Sequence, residues 1–155
     1  MKTCLSFLDI YLVIEGDESS IISIQYSNNP CDESCTKTSE VYKAKVQLEE
    51  YLQCKRESFS LNLSYSVPIF TNKVLLAMKD IEYGKIITYA KLAQKVGNPK
   101  ANRAIGNVCN KNQFVIVIPC HRVVRSDGTL GGYQPGLKYK EYLLKLESKE
   151  DDLNG

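Results

Sequence analysis

A cysteine stands directly before the chain's single histidine, at Cys120-His121, just after the apolar run Phe114–Ile118 and Pro119. A thiolate is a strong nucleophile, but a free thiol with a pKa of ~8.5 is mostly protonated at neutral pH. Something must take the proton, and imidazole titrates in the right range to do so. Neighbouring side chains usually point apart, so the pair needs a sharp turn, which Pro119 could set, or an intervening water. Cysteine is also a small hydrophobe that is often buried, and the residue types alone leave both roles open.

A single histidine excludes a multi-histidine metal site. Among the other cysteines, Cys31 and Cys35 in the polar segment 28–39 have the spacing that most favours a disulfide. A zinc site joining them to Cys4 or Cys54 lacks a second Cys-x-x-Cys-type pair.

The elements that must position Cys120 belong to a chain of 155 residues, 43% hydrophobic and 25% charged, which is a globular composition large enough for one domain or two small ones. The net charge of +2 at first argues against a nucleic-acid partner. Splitting the chain near Pro68 changes that: residues 1–66 hold 6 basic and 10 acidic side chains (net −4), and residues 67–155 hold 14 and 8 (net +6). Between Lys85 and Lys140 ten basic residues face only Asp127, which suits a polyanion. A solvated basic surface explains the same charges equally well. No apolar run approaches the ~20 residues of a membrane span. Met1–Ile14 is broken by Asp9 and lacks a cleavage site, so it reads as a strand, and the chain is expected in the cytoplasm with reduced thiols.

In the first half, Thr3–Ile14 and Ile21–Tyr26 read as strands joined at Glu15–Ser20. Glu40–Cys54 reads as a helix capped by Ser39, with Val41, Ala44, Leu48, Tyr51 and Leu52 on one face. Phe59, Leu61, Leu63, Tyr65 and Val67 alternate with polar residues as a half-buried strand does. In the second half, Asn72–Ile81 is helical and Thr88 caps a short helix, Tyr89–Val96, that Gly97 ends. Asn98-Pro99 then opens a helix reaching about Cys109, so the two form a helix-turn-helix candidate. Asp127-Gly128 between Val123-Val124 and Thr129-Leu130 predicts a hairpin wing. Leu137–Leu146 closes as an amphipathic helix, followed by a polar tail, Glu147–Gly155.

The string Ile118-Pro119-Cys120-His121-Arg122-Val123-Val124 resembles the active-site signature of the O6-alkylguanine-DNA alkyltransferases, also called methylated-DNA–protein-cysteine methyltransferases. The resemblance runs from about Tyr83 to Glu147. It includes Gly97-Asn-Pro-Lys-Ala101, Arg103-Ala-Ile-Gly106, Asn112, Gly131-Gly-Tyr133 and Lys140-Glu-Tyr-Leu-Leu144. It implies an α+β chain of two domains: a small ribonuclease-H-like α/β domain over 1–67 and a winged helix-turn-helix alkyltransferase domain over 68–155.

Nothing in the sequence demands a dimer, so a monomer is expected; the same resemblance implies that it enters the minor groove of double-stranded DNA and flips an O6-alkylguanine into a pocket, since the alkyl carbon is unreachable inside the stack. Arg103 would fill the gap left by the base, with Lys100, Ala101 and Asn102 beside it at the DNA. Cys120 would accept the alkyl group, with O4-alkylthymine as a second candidate donor, His121 as water-mediated base, Glu147 orienting the imidazole and Asn112 organising the network. Tyr89 would donate to the leaving base, the Val123 carbonyl would accept from its exocyclic amine, Tyr133 would wall the pocket and the Gln134 N–H would reach O6. No cofactor is implied. The product is a thioether that water cannot cleave, so each molecule acts once. Two departures stand out: Asn112–Pro119 lacks the prolines often found after the asparagine, and Gln134-Pro135 replaces a small serine and a glycine. A winged-helix DNA binder without transfer activity is the rival reading, which the presence of Cys120 disfavours. A thiol hydrolase leaves helix 100–109 unexplained.

Overall fold

In the computed structural model, which describes residues 1–148, the first apolar stretch is not the single strand expected over Thr3–Ile14. It folds back as β1 (Lys2–Phe7) and β2 (Ile10–Gly16), paired antiparallel with Phe7 opposite Ile10. Leu8 takes the positive φ of 52° in the two-residue connection. A leucine carries none of the Asn-Gly signal by which tight hairpins are read, so the turn is hidden inside an apolar run. Next, β3 (Ile21–Ser27) pairs antiparallel with β2, giving the order β1-β2-β3. The register shifts at Glu15/Gly16, where a Cβ on Gly16 would sit 2.2 Å from the Ser20 carbonyl oxygen, so only glycine fits.

Helix α1 (Glu40–Leu52) starts where Ser39 Oγ accepts the Tyr42 N–H at 3.1 Å. Its buried stripe Val41, Ala44, Leu48 and Tyr51 follows the 3-4-3 spacing of one helical face and packs on the sheet, where Leu12, Ile14, Ile21 and Ile24 are fully buried. The segment Phe59–Val67 alternates half-buried and exposed as its pattern predicts, yet it is extended chain rather than a strand. Its ladder contact is a single parallel bridge from Leu63 to Ile21. The reason lies in β3, whose free edge is shared: Ile24 bridges Phe114 instead, with the Val115 N–H donating to Ile24 at 3.1 Å. Residues Met1–Ser66 and Gln113–Val115 thus form one compact unit. Within it, Cys31 lies against Cys4 and not Cys35, because segment 31–34 is drawn over the open edge of β1, where the Ser34 N–H donates to the Lys2 carbonyl at 2.8 Å.

The second unit holds Val67–Asn112 and the chain from Ile116 onward. Helix α2 (Ile69–Lys79) begins ahead of the expected Asn72 and buries Val74, Leu75 and Met78. A two-residue strand β4 (Ile87–Thr88) leads into α3 (Tyr89–Lys95), where Thr88 Oγ1 accepts the Lys91 N–H at 3.1 Å. Helix α4 (Asn102–Asn110) does not open at Asn98-Pro99. Those residues first close a turn, with the Ala101 N–H donating to the Asn98 carbonyl at 3.0 Å and Pro99 at the second turn position it favours. Ile105 and Val108 face inward, and α2, α3 and α4 pack together.

Strand β5 (Val123–Val124) pairs in parallel with β4, and Thr129-Leu130 forms no ladder with it. The expected hairpin is instead a local turn: the Arg125 N–H donates to Thr129, and Asp127 accepts from the Thr129 N–H and hydroxyl. The Val123 and Leu130 carbonyls bind the Lys140 ammonium instead. Helix α5 (Leu137–Ser148) runs on through Glu147, which is therefore buried in helix rather than opening a polar tail; residues 149–155 of that tail lie outside the described residues. No helix among the described residues is long and apolar enough to cross a membrane.

Candidate active site

The chain reaches Cys120 through strained geometry. Ile116 holds φ 71°, uncommon for a β-branched residue, and Pro119 precedes a single 3-10 turn, Cys120–Arg122. All three residues of that turn are buried, as are Ile116 and Ile118 ahead of it. Asn112, at the end of the turn that follows α4, donates from Nδ2 to the Ile118 carbonyl at 2.8 Å and to Cys120 Sγ at 3.2 Å. Burial pushes the Cys120 thiol above its ordinary pKa, while the Asn112 hydrogen bond and the charge of Lys140 pull the other way. A sulfur held in a dry site by a preorganised donor is a poor thiolate at rest, and the donor is already aimed where the negative charge develops.

His121 turns toward α5. Its Nε2 lies 2.7 Å from Glu147 Oε2, and Arg122 clamps the same carboxylate through Nε at 2.8 Å and Nη2 at 2.9 Å. Arg122 also donates to the Ile81 carbonyl at 2.6 Å and lies over the Tyr83 ring. Burial pushes Glu147 up, but hydrogen bonds from His121 and Arg122 hold its carboxyl at about 2. Burial pushes His121 below its ordinary value against the opposing pull of Glu147. At neutral pH the pair is therefore a carboxylate and a neutral imidazole, and a carboxylate acceptor requires the ring proton on Nε2. Nδ1 is left with its lone pair, and it is the buried side-chain nitrogen or oxygen that lacks a hydrogen-bond partner among the described residues.

Lys140 completes the buried charge. It is fully buried on α5, and its ammonium donates to the carbonyls of Val123 at 2.7 Å, Leu130 at 2.5 Å and Gly132 at 3.4 Å. This pins the 129–132 loop and occupies the Val123 carbonyl, leaving that oxygen one lone pair. The ammonium also lies 5.9 Å from the centre of the Tyr89 ring. Tyr89, first in α3, is half-buried; burial, together with the charges of Cys109 and Cys120, pushes its phenol to about 12 and keeps it a donor. Gly131 (φ +78°) makes room for it, since a Cβ there would lie 3.2 Å from the Tyr89 hydroxyl.

The structure thus brings Asn112 to Cys120, Glu147 to His121 and Lys140 to Val123 and Tyr89. It draws no direct hydrogen bond between Cys120 and His121. Tyr133 is half-buried and Gln134 exposed. Lys100, Asn102 and Arg103 are exposed at the start of α4, whereas Ala101 is buried and offers little side-chain surface. Sequence reading missed the roles of Arg122 and Lys140. The signal for Lys140 was present: it falls in the apolar stripe of α5 with Leu143 and Glu147, at 3-4 spacing, where a solvated lysine has no place. No group of three His, Cys, Asp or Glu side chains among the described residues could hold a metal ion.

Residues 69–149 match the sequence profile described as 6-O-methylguanine DNA methyltransferase, DNA binding domain. The chain is 37% identical over 141 residues to a methylated-DNA–protein-cysteine methyltransferase of Methanosarcina acetivorans, covering 88% of this chain and 90% of that one. It is 36% identical over 142 residues to the protein of the same name from Haemophilus influenzae, covering 88% and 79%. Among solved structures, Mycobacterium tuberculosis OGT in complex with DNA superposes with a TM-score of 0.83 at 27% identity, covering 96% of this chain and 92% of that one.

Proposed function

The chain belongs to the 6-O-methylguanine DNA methyltransferase family, and we propose that it repairs DNA by moving an alkyl group from guanine O6 onto its own Cys120. The observation that carries the assignment of roles is the buried Cys120 sulfur, held by Asn112 next in sequence to a neutral histidine whose Nδ1 is open. A water bridges the thiol to that nitrogen and passes the proton to His121. Glu147 stays ionised to stabilise the imidazolium that forms, and Arg122 fixes the carboxylate. The sulfur then attacks the alkyl carbon: the S–C bond forms, the C–O6 bond breaks, and its electron pair leaves on the guanine. Tyr89 donates a hydrogen bond from its hydroxyl to the departing base, which takes up the proton that His121 removed; Val123 accepts from the exocyclic amine through its remaining lone pair, the Gln134 N–H reaches O6 and Tyr133 walls the base. The S-alkyl cysteine has no leaving group that water can displace, so one molecule repairs one lesion. No cofactor enters, because the DNA supplies the alkyl group.

Within 68–155 we read α3, the 98–101 turn and α4 as a helix-turn-helix and the 125–132 loop as its wing, with 1–67 as a ribonuclease-H-like domain. Lys100, Asn102 and Arg103 then meet the minor groove of duplex DNA, with Ala101 packing beneath them. The small Ala104 and Gly106 permit close approach, and Arg103 takes the place of the flipped base. The protein acts as a monomer, and its thiol nucleophile requires a reducing compartment such as the cytoplasm.

Incubation with a duplex containing O6-methylguanine should add one methylene to the peptide carrying Cys120, and Cys120→Ala should abolish the gain. Unchanged mass with binding intact would instead identify a lesion sensor. Arg103→Ala should slow repair in duplex DNA on the order of tenfold or more, the scale of a lost charge-assisted contact, while sparing reaction with free O6-benzylguanine. Equal loss on both substrates would sink the finger role.

A further inference from the structure

We propose that Cys4 and Cys31 form a reversible disulfide that latches segment 28–39 onto the open edge of the first unit's sheet. β1 is an edge strand, and such a strand presents unpaired backbone groups that invite other chains. Here that edge is covered by a segment without regular structure. The Lys2 N–H donates to Ser34 Oγ at 3.0 Å, Ser34 returns its own N–H to the Lys2 carbonyl at 2.8 Å, and the Thr3 hydroxyl binds Glu33 at 2.8 Å. Lys45 of α1 donates to the same Glu33 oxygen at 2.9 Å.

Cys4 and Cys31 meet in the middle of this strap. The Cys31 N–H donates to Cys4 Sγ at 3.4 Å, and the Cys4 thiol donates back to the Cys31 carbonyl at 3.9 Å. Bond lengths then place the Cys4 sulfur within about 5 Å of the Cys31 Cα. Neither side chain is fully buried, so both thiols are open to a small reagent. Burial, a hydrogen bond with the Cys4 thiol and the charges of Cys4 and Glu33 push the Cys31 thiol up to about 11. Cys31 is accordingly the second sulfur to react.

With glutathione disulfide as oxidant, the Cys4 thiolate attacks one sulfur of the reagent, forming a mixed disulfide and expelling one glutathione thiolate. Cys31, as it loses its proton, attacks the Cys4 sulfur and expels the second glutathione. Two electrons pass from the protein pair to the reagent, and the two thiol protons end on two glutathione molecules. The resulting bond closes a loop between positions 27 residues apart. It removes much of the freedom the strap has when it lifts from β1.

The test is to equilibrate the full chain in glutathione buffers from reducing to oxidising, trap free thiols by alkylation and map the peptides. Oxidation should link the Cys4 and Cys31 peptides with loss of two hydrogens. Cys4→Ser and Cys31→Ser should each abolish the link, and Cys35→Ser should leave it intact. Trypsin cleavage after the exposed Lys37 should slow on the order of tenfold or more in the oxidised chain and recover with dithiothreitol. A Cys31–Cys35 link, glutathione adducts with no internal bond, or cleavage at Lys37 that ignores the redox state would overturn the proposal.

Discussion

In the first unit the buried polar side chains serve the backbone or a neighbouring loop. Ser39 caps α1, Gln47 holds both the N–H and the carbonyl of Ser60, and Thr3 binds Glu33. In the second unit Asn112, His121, Arg122, Lys140 and Glu147 are buried, and four of these are ionisable. Three of them bond to one another, and the other two converge on the sulfur, on Val123 and on Tyr89. Burying an ion costs several kcal/mol, and an apolar core of the same volume is often as stable or more so. Neutral amides and hydroxyls satisfying nearby backbone cost little by comparison. A core that contains charges nevertheless is organised around chemistry, whereas a core like that of the first unit is organised around packing.

The sharpest way to break this contrast is Glu147→Gln. It leaves Arg122 uncompensated and removes the carboxylate that fixes the His121 tautomer. Stability should fall by about 3–5 kcal/mol, the usual cost of breaking a buried pair, and transfer to Cys120 should slow even in protein that remains folded. Denaturant melts with single-turnover assays would read both; a loss below about 1 kcal/mol, the range of an exposed pair, would show the network to be ornamental.

A smaller effect is expected from pH. The folded pKa of His121 lies below its ordinary 6.5, so the unfolded chain binds that proton first. The stability it contributes is present above pH 6.5 and lost as pH falls below it. Glu147, ordinarily near 4.5 and held at about 2, contributes stability above pH 4.5 that is lost as pH falls toward 2. Both act in the same direction, so melting temperature should drop on acidification, and the acid limb of the transfer rate should begin below pH 6.5. Melts between pH 3 and 8 on wild type and Glu147→Gln would check this, because the lower of the two steps should vanish in the variant.

The smallest expected effect belongs to the first unit. Gln47→Ala should cost about 1–2 kcal/mol for the two hydrogen bonds to Ser60 that it removes. It should not move the pH profile. A shift of the acid limb in Gln47→Ala would erase the distinction between the two cores.

Much of this was legible in the order of residues. The 3-4-3 stripe of α1 with Ser39 ahead of it, the Thr88 cap of α3 and the spaced motifs around Cys120 are local patterns. Periodicity and capping depend only on near neighbours, and each needs only the residues beside it to be recognised. The β1–β2 turn was hidden because Leu8 carries no turn signal. The extended run at Phe59–Val67 and the missing 123–130 ladder were decided by partners far along the chain: the free edge of β3 divided between Leu63 and Phe114, and the ammonium of Lys140 binding the Val123 and Leu130 carbonyls.

The same division separates what kind of chemistry is available from how it is arranged. The sequence by itself determined that a cysteine and the sole histidine adjoin, that the basic charge lies in the second half, and that several spaced motifs follow in one order. Only the tertiary structure decided that His121 turns toward Glu147, that Arg122 is a clamp rather than a surface cation, and that Cys4 meets Cys31. Burial explains why. Once water is excluded, nearly every charged or polar group must find a partner within hydrogen-bonding reach. Which partner that is depends on the folding of distant segments into one site.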